Sequence, residues 1–288
     1  MFFGISLPPF GKFGDVRHLA RLAAMVEDAG WDGLFIWDHV IFDPTFHPIA
    51  DPWVALAAIA LHTSRLRIGA MVTPLARRRP WKVAREAVSV DLLSEGRLIF
   101  GAGLGDPVQW DFGFFGEEQD ARRRAQKLDE ALDVISGLWT GELFGYQGQH
   151  YQLEPMRFEP TPLQQPRIPI WIGGGWNKAR PQQRAARFDG YIPLKFGSNL
   201  ALSEWEGIKH TIARYRDTDQ PFDLVHSGST PGDDRPTAAA TARAYETIGI
   251  TWWLESVDPW RWGHSWEEPI PPLAYEQMET RIQQGPPQ

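Results

Sequence analysis

Gly30-Trp31-Asp32-Gly33-Leu34-Phe35-Ile36-Trp37-Asp38-His39 is the stretch whose reading decides the fold. Gly30 ends a run in which Leu19, Leu22, Ala23 and Val26 recur at helical spacing behind a capping Asp15, and residues 33–37 then read as a buried strand. The stretch closes on a carboxylate and an imidazole where strand gives way to loop. Outward from it, the alternation continues in both directions. Phe2–Leu7 is the preceding strand, Asp51-Pro52 opens the next helix, 66–72 is a third strand, Pro80 opens a third helix, and 98–102 is a fourth strand. Further strands are predicted at 168–172, 189–193, 222–226 and 249–255, with a final helix at 271–284. Parallel neighbours need a helical crossover, so the alternation predicts a parallel sheet, and eight units without internal repeats predict a closed (β/α)8 TIM barrel. Segments 106–120, after the fourth strand, and 140–167, before the fifth, lack periodicity and read as insertions within one domain spanning 1–288.

Composition narrows the function. A net charge of −7 argues against a nucleic-acid or anionic-membrane surface, which rewards excess lysine and arginine. The absence of cysteine excludes disulfides, thiolate metal sites and a cysteine nucleophile. The opening MFFGISLPPFGKFGD holds too short an apolar run for a signal peptide, and no apolar stretch of ~18 residues reads as a membrane span, so a cytoplasmic, small-molecule protein is expected. Fourteen tryptophans suggest aromatic walls around a planar or apolar ligand.

In such a barrel the reacting groups follow the strands. Asp38 and His39 after the second strand can face a cofactor and move a proton, with Asp38 fixing the imidazole's tautomer; a helix-capping aspartate and a structural histidine fit the same residues. Arg77-Arg78-Arg79 reads as a solvated loop or interface more readily than as a phosphate grip. Gly101-Ala102-Gly103-Leu104-Gly105 is not a dinucleotide loop, because Asp106-Pro107 follows instead of a glycine opening a helix; its small residues do let a flat ring approach the backbone. Gly173-Gly174-Gly175-Trp176-Asn177 before a helix offers backbone amides to a phosphate, with a tight turn as the alternative. Lys195, Glu255 and His226 are single polar groups near strand ends. No H-E-x-x-H, nucleophile elbow or Walker loop is present, and no metal site is expected.

Several of these pieces recur in a fixed order: Gly30-Trp31-Asp32, Trp37-Asp38-His39, Ser64-Arg65-Leu66-Arg67-Ile68-Gly69, Val72-Thr73-Pro74, Arg78-Arg79-Pro80, Leu93-Ser94-Glu95-Gly96-Arg97 and Pro169-Ile170-Trp171-Ile172-Gly173-Gly174. In that order and spacing the chain resembles the luciferase-like monooxygenase superfamily, particularly its deazaflavin-dependent oxidoreductases. The resemblance implies a TIM barrel that binds coenzyme F420, with FMN as the alternative cofactor, and often a homodimer. It implies hydride transfer to or from a small organic substrate, or oxygen activation in a flavin monooxygenase; a barrel that binds a flavin without turnover is a third reading. Asp38 and His39 would then lie near the ring, with His39 as proton donor or acceptor. Met71-Val72 would be a cis peptide forming a bulge behind the ring, with Thr73, Gly101 and Gly103 beside it. Gly173, Gly174, Gly175 and Asn177 would surround the phosphate-bearing tail. The family's sugar-phosphate dehydrogenases carry a glutamate and a tryptophan where this chain has Leu104 and, approximately, Phe42 or Asp43. An apolar or aromatic substrate is therefore expected, with tryptophans 110, 176, 252, 253, 260, 262 and 266 as candidate lining.

Overall fold

The Asp15 carboxylate accepts hydrogen bonds from the Arg17 and His18 amides, which have no partner inside a helix, and α1 (Val16–Asp28) starts there. Its Leu19, Leu22 and Val26 turn inward and are buried, each leucine stabilising the fold by roughly 1.5–3 kcal/mol. The same logic, a capping aspartate followed by an apolar stripe, sets α2 (Pro52–His62) behind Asp51 and α5 (Ala121–Leu138) behind Asp120. The computed structural model describes residues 1–43, 47–195 and 197–288.

The other elements, in chain order, are β1 (Phe2–Leu7), β2 (Gly33–Ile36), β3 (Arg67–Ala70), β4 (Thr73–Pro74), α3 (Pro80–Leu93), β5 (Phe100–Gly103) and α4 (Val108–Asp111). They continue with β6 (Phe144–Gln147), β7 (Gln152–Met156), β8 (Ile170–Gly175), α6 (Ala179–Ala185), β9 (Gly190–Leu194) and α7 (Leu202–Tyr215). Last come β10 (Asp223–Gly228), α8 (Arg235–Thr247), β11 (Trp252–Ser256) and α9 (Pro272–Gln283). Among the described residues the main sheet runs β3-β2-β1-β11-β10-β9-β8-β5-β4 and every pairing in it is parallel. It closes at its seam: the Ile68 amide donates to the Arg97 carbonyl at 3.1 Å, and the Ile99 amide donates to the Ile68 carbonyl at 2.8 Å. The molecule is a TIM barrel, as the alternation predicts.

Two differences from the sequence reading have local causes. The third strand does not run unbroken to residue 72: it stops at Ala70, passes through a cis Met71-Val72 bond and resumes as β4, which pairs with β5. The insertion at 140–167 contains the antiparallel hairpin β6–β7, whose turn is held by Glu130 of α5 accepting from the Gln149, His150 and Tyr151 amides. That partner is 19 residues upstream of the nearest of these amides, out of reach of a periodicity search.

Inside the barrel, Phe35, Trp171 and Trp252 pack ring on ring at 5.3–5.6 Å with Ile99, Ile192, Val225 and Leu254. Two of the fourteen tryptophans are therefore barrel filling, and Trp31, Trp53, Trp139, Trp205 and Trp253 belong to the outer core. Leucines and isoleucines of the outer faces form the larger core between sheet and helices.

Candidate active site

Asp38 and His39 follow β2 at the carboxyl end of the barrel, as expected, but their partners were not foreseen. Asp38 is buried, and two guanidinium groups converge on it: Arg77 donates to its Oδ1 at 2.7 Å and to its carbonyl at 3.0 Å, and Arg78 donates to Oδ1 at 2.9 Å and Oδ2 at 3.0 Å. Arg77 and Arg78 are thus not solvated, because β4 and the 3-10 turn Leu75–Arg77 carry them inward to the end of β2, whereas Arg79 is exposed as expected. Burial opposes the charge on Arg78, yet the Asp38 carboxylate overrides it and holds the guanidinium above its ordinary pKa.

His39 is oriented from elsewhere. Asp111, at the end of α4, accepts from His39 Nδ1 at 2.7 Å, while the Val40 amide donates to its other oxygen at 2.8 Å and Arg77 stands 3.9 Å away. Burial alone would raise the Asp111 carboxyl; the His39 bond and charge, Arg77 and the Val40 amide hold it below the ordinary carboxylate range instead. An ionised carboxylate only accepts, so Nδ1 carries the hydrogen and Nε2 is left to exchange a proton. Asp111, not Asp38, is thus the carboxylate bonded to the imidazole, and Asp38, expected as orienter or ring contact, is held by its own arginines. Asp111 lies in the unpatterned 106–120 segment, where nothing local marks it.

The glycines are differently placed from one another. A side chain at Gly103 or Gly173 would collide with Val72, reaching its Cγ1 at 2.6 Å from Gly173, and one at Gly101 would meet Met71 Sδ at 2.6 Å. These glycines make room for the Met71-Val72 bulge from both sides, so Val72 and not an open face occupies the space beside them. Gly174 backs onto Pro181, whereas Gly175 is more open, with Lys178 Cγ 3.2 Å and Asn177 Oδ1 3.9 Å from the same position. Gly173 to Gly175 are paired with β9 and the helix begins later, at Ala179, so they are not the bare amides of a helix start. Thr73 beside them is fully buried, and its Oγ1 has no partner among the described residues.

Around His39 the rings of Phe10, Trp37, Phe42, Trp260 and Trp266 form one connected aromatic wall. Of the expected lining, Trp260 and Trp266 join this wall; Trp252 and Trp253 are core, Trp262 lies under Arg261 at 5.2 Å, and Trp176 lies under the Lys195 ammonium at 5.2 Å. Trp110 packs on Phe114 in the loop that carries Asp111. The other single charges are consumed locally: Lys195 pairs with Glu204 at 2.7 Å, and Glu255 is buried against Arg261 and Arg281. His226 is deep in the outer core, where burial pushes its pKa down to about 3. A half-open cavity of about 460 Å³ lies at the opposite, amino-terminal end among Phe2, Asp32, Arg67, Asp223 and Trp252. It is remote from the His39–Asp111 pair, and in TIM barrels chemistry sits at the carboxyl ends.

A family model described as luciferase-like monooxygenase matches residues 1–281. The chain belongs to the luciferase-like monooxygenase family. Within that family it is 32% identical to an F420-dependent glucose-6-phosphate dehydrogenase of Gordonia bronchialis over 62% of this chain and 53% of that one. It is 28% identical to the enzyme of the same name from Rhodococcus hoagii over 83% of this chain and 72% of that one. The first match thus spans about half the relative's length. The crystal structure of monooxygenase RslO1 from Streptomyces bottropensis superposes with a TM-score of 0.74 at 17% identity, covering 98% of this chain and 96% of that one. At that identity the likeness is one of fold. Among the described residues no helix is long and apolar enough to cross a membrane, and no cluster of histidine and carboxylate side chains is placed to hold a metal ion.

Proposed function

We propose that the protein is an F420-dependent oxidoreductase that transfers a hydride to or from a small, apolar or aromatic organic substrate, with His39 moving the accompanying proton. The His39–Asp111 pair at the end of β2 carries the proposal, because the carboxylate engages Nδ1 and so leaves Nε2 for proton exchange. The family relatives named for F420 support the cofactor.

The residues present suit such a group. The buried Thr73 hydroxyl lacks a partner, Val72 projects between Gly103 and Gly173, and Gly175 with Asn177 leaves room beside the backbone. Met71, Val72 and Thr73 would hold the ring, with Gly101, Gly103 and Gly173 making room for that bulge, and Gly175 and Asn177 would hold the tail, with Gly174 backed by Pro181. Bound there, a deazaflavin supplies a flat ring that takes or gives a hydride. Asp111 keeps the His39 tautomer fixed, so Nε2 accepts the substrate's hydroxyl proton in oxidation and returns it in reduction. Asp38, held by Arg77 and Arg78, fixes the loop that carries His39. The aromatic wall covers much of the imidazole, which keeps 11% of its side-chain exposure.

A second reading is an FMN monooxygenase, supported by the fold match to the oxygenating constituent of 3,6-diketocamphane monooxygenase from Pseudomonas putida in complex with FMN, at a TM-score of 0.63. Adding F420 and FMN separately to cofactor-free protein and following cofactor fluorescence distinguishes the two. Saturable quenching by F420 alone supports the first reading, by FMN alone the second, and by neither removes both. His39→Ala should lower turnover about 10²–10⁴-fold while leaving cofactor affinity intact; an unchanged rate would remove the proton-transfer role. We also propose a homodimer built on α2, whose outward Val54 and Leu61 are 59% and 69% exposed. Sedimentation should give twice the chain mass, and Leu61→Glu should halve it.

A further inference from the structure

Phe42 occupies the middle of the aromatic wall. Its ring centroid lies 5.0 Å from His39, 5.1 Å from Phe10, 5.3 Å from Trp266, 5.8 Å from Trp37 and 6.0 Å from Trp260. No other ring of the wall stands closer to the imidazole: Phe10 is at 5.7 Å and Trp37 at 6.1 Å. Three of the four surrounding rings are anchored; the fourth, Trp260, is 48% exposed. Phe10 and Trp266 are buried, and the Trp37 indole donates to Ser6 Oγ at 3.1 Å. Phe42 is only half-buried and stands on the loop leaving β2.

A group exchanging a proton with His39 must come within hydrogen-bond reach of the imidazole, and Phe42 crowds that approach. We propose that Phe42 is a placeholder: in the free protein it fills the compartment beside His39, and a flat, uncharged ring of the substrate takes its place. This rests on the reading of His39 as the proton-transfer group. Exchanging one flat ring for another preserves the ring-on-ring packing of Phe10, Trp37, Trp260 and Trp266, whereas a hydrated sugar or an anion forfeits it. The charges around the compartment agree. The guanidiniums of Arg77 and Arg78 are committed to the buried Asp38, and that of Arg261 to the buried Glu255, so these three could serve a phosphate only by leaving a buried carboxylate unpaired. The compartment therefore selects a neutral aromatic alcohol or carbonyl compound over the sugar phosphate of the family's named dehydrogenases.

Calorimetric titration of wild type, Phe42→Leu and Phe42→Ala with benzyl alcohol, propan-2-ol and glucose 6-phosphate tests this. Wild type should bind benzyl alcohol in preference to the other two. Phe42→Ala should bind it about tenfold tighter than wild type, because no occupant has to leave first, with Phe42→Leu in between. Weaker or unchanged binding in both variants would overturn the placeholder and make Phe42 a wall; preferential binding of glucose 6-phosphate would overturn the substrate class. Circular dichroism of each variant checks folding, and the smaller Leu change serves if Ala unfolds the loop. F420 quenching in the same samples separates the two readings. Quenching with no tightening sinks the placeholder alone, and tightening without quenching sinks the cofactor alone.

Discussion

Asp111 acts on His39 through one short bond, and a change that keeps its shape but removes its charge isolates that action. In Asp111→Asn the side chain can present an amide to Nδ1 and favour the tautomer with hydrogen on Nε2. The rate should fall about 10²-fold or more, since a positioned acid–base group is worth 10²–10⁴. Cofactor affinity should change little; an unchanged rate would show that Asp111 only packs. Lys195, which also follows a strand, is by contrast tied up at the surface by Glu204 and by the Trp176 ring.

Between β4, β5 and β8, geometry is set by what glycine leaves out. The Val72 side chain fits between Gly103 and Gly173 only because neither has a Cβ. Gly173→Ala would put a methyl 2.6 Å from Val72 Cγ1 in a packed interior, where overpacking costs typically ~1–3 kcal/mol. A loss of that size in denaturant unfolding, with weaker cofactor binding, is the expected result; full stability would mean that Val72 moves freely. The connections between elements explain the quoted motifs as well. Arg97 donates to the Ala60, Thr63, Leu66 and Ser94 carbonyls, capping the end of α2 beside the barrel seam. Glu27 accepts from the Ser64, Arg65 and Leu66 amides. Much of the pattern by which the family is recognised is thus scaffold.

For the whole molecule, buried polar groups hold distant segments together, and the His226 imidazole gives the fold a response to acid. Glu255 at the end of β11 accepts from Arg261, Arg281, Trp253 and the Thr230 amide, tying α9 and the last loop to the barrel. His226 packs between Tyr245, at 4.1 Å, and Trp253, at 4.8 Å, and accepts from the Trp205 indole. Burial lowers its pKa from 6.5 to about 3 in the fold, so the unfolded chain binds the proton first. Its contribution to stability is whole above pH 6.5 and is lost as pH falls toward 3, at about 1.4 kcal/mol per unit. Between pH 6.5 and 5 wild type should lose about 2 kcal/mol in denaturant titrations from this group, and His226→Phe should lose correspondingly less. Equal slopes would assign the acid sensitivity elsewhere.

Strand and helix order, caps and breakers were legible in the sequence, because apolar periodicity, Asp15, Asp51, Asp120 and the prolines act over a few residues. The barrel and the place of Asp38 and His39 at a strand end followed from them, and the family from the resemblance of its ordered motifs. Side-chain partnership was not legible. The break at Met71-Val72, the β6–β7 hairpin, the Arg77–Arg78 grip on Asp38 and the Asp111 bond to His39, 72 residues apart, depend on segments that meet only when the barrel closes. A spacing pattern records which face a residue shares with its near neighbours. Which carboxylate reaches which imidazole is settled by the packing of strands far apart in the chain, and that is what the tertiary structure alone decided.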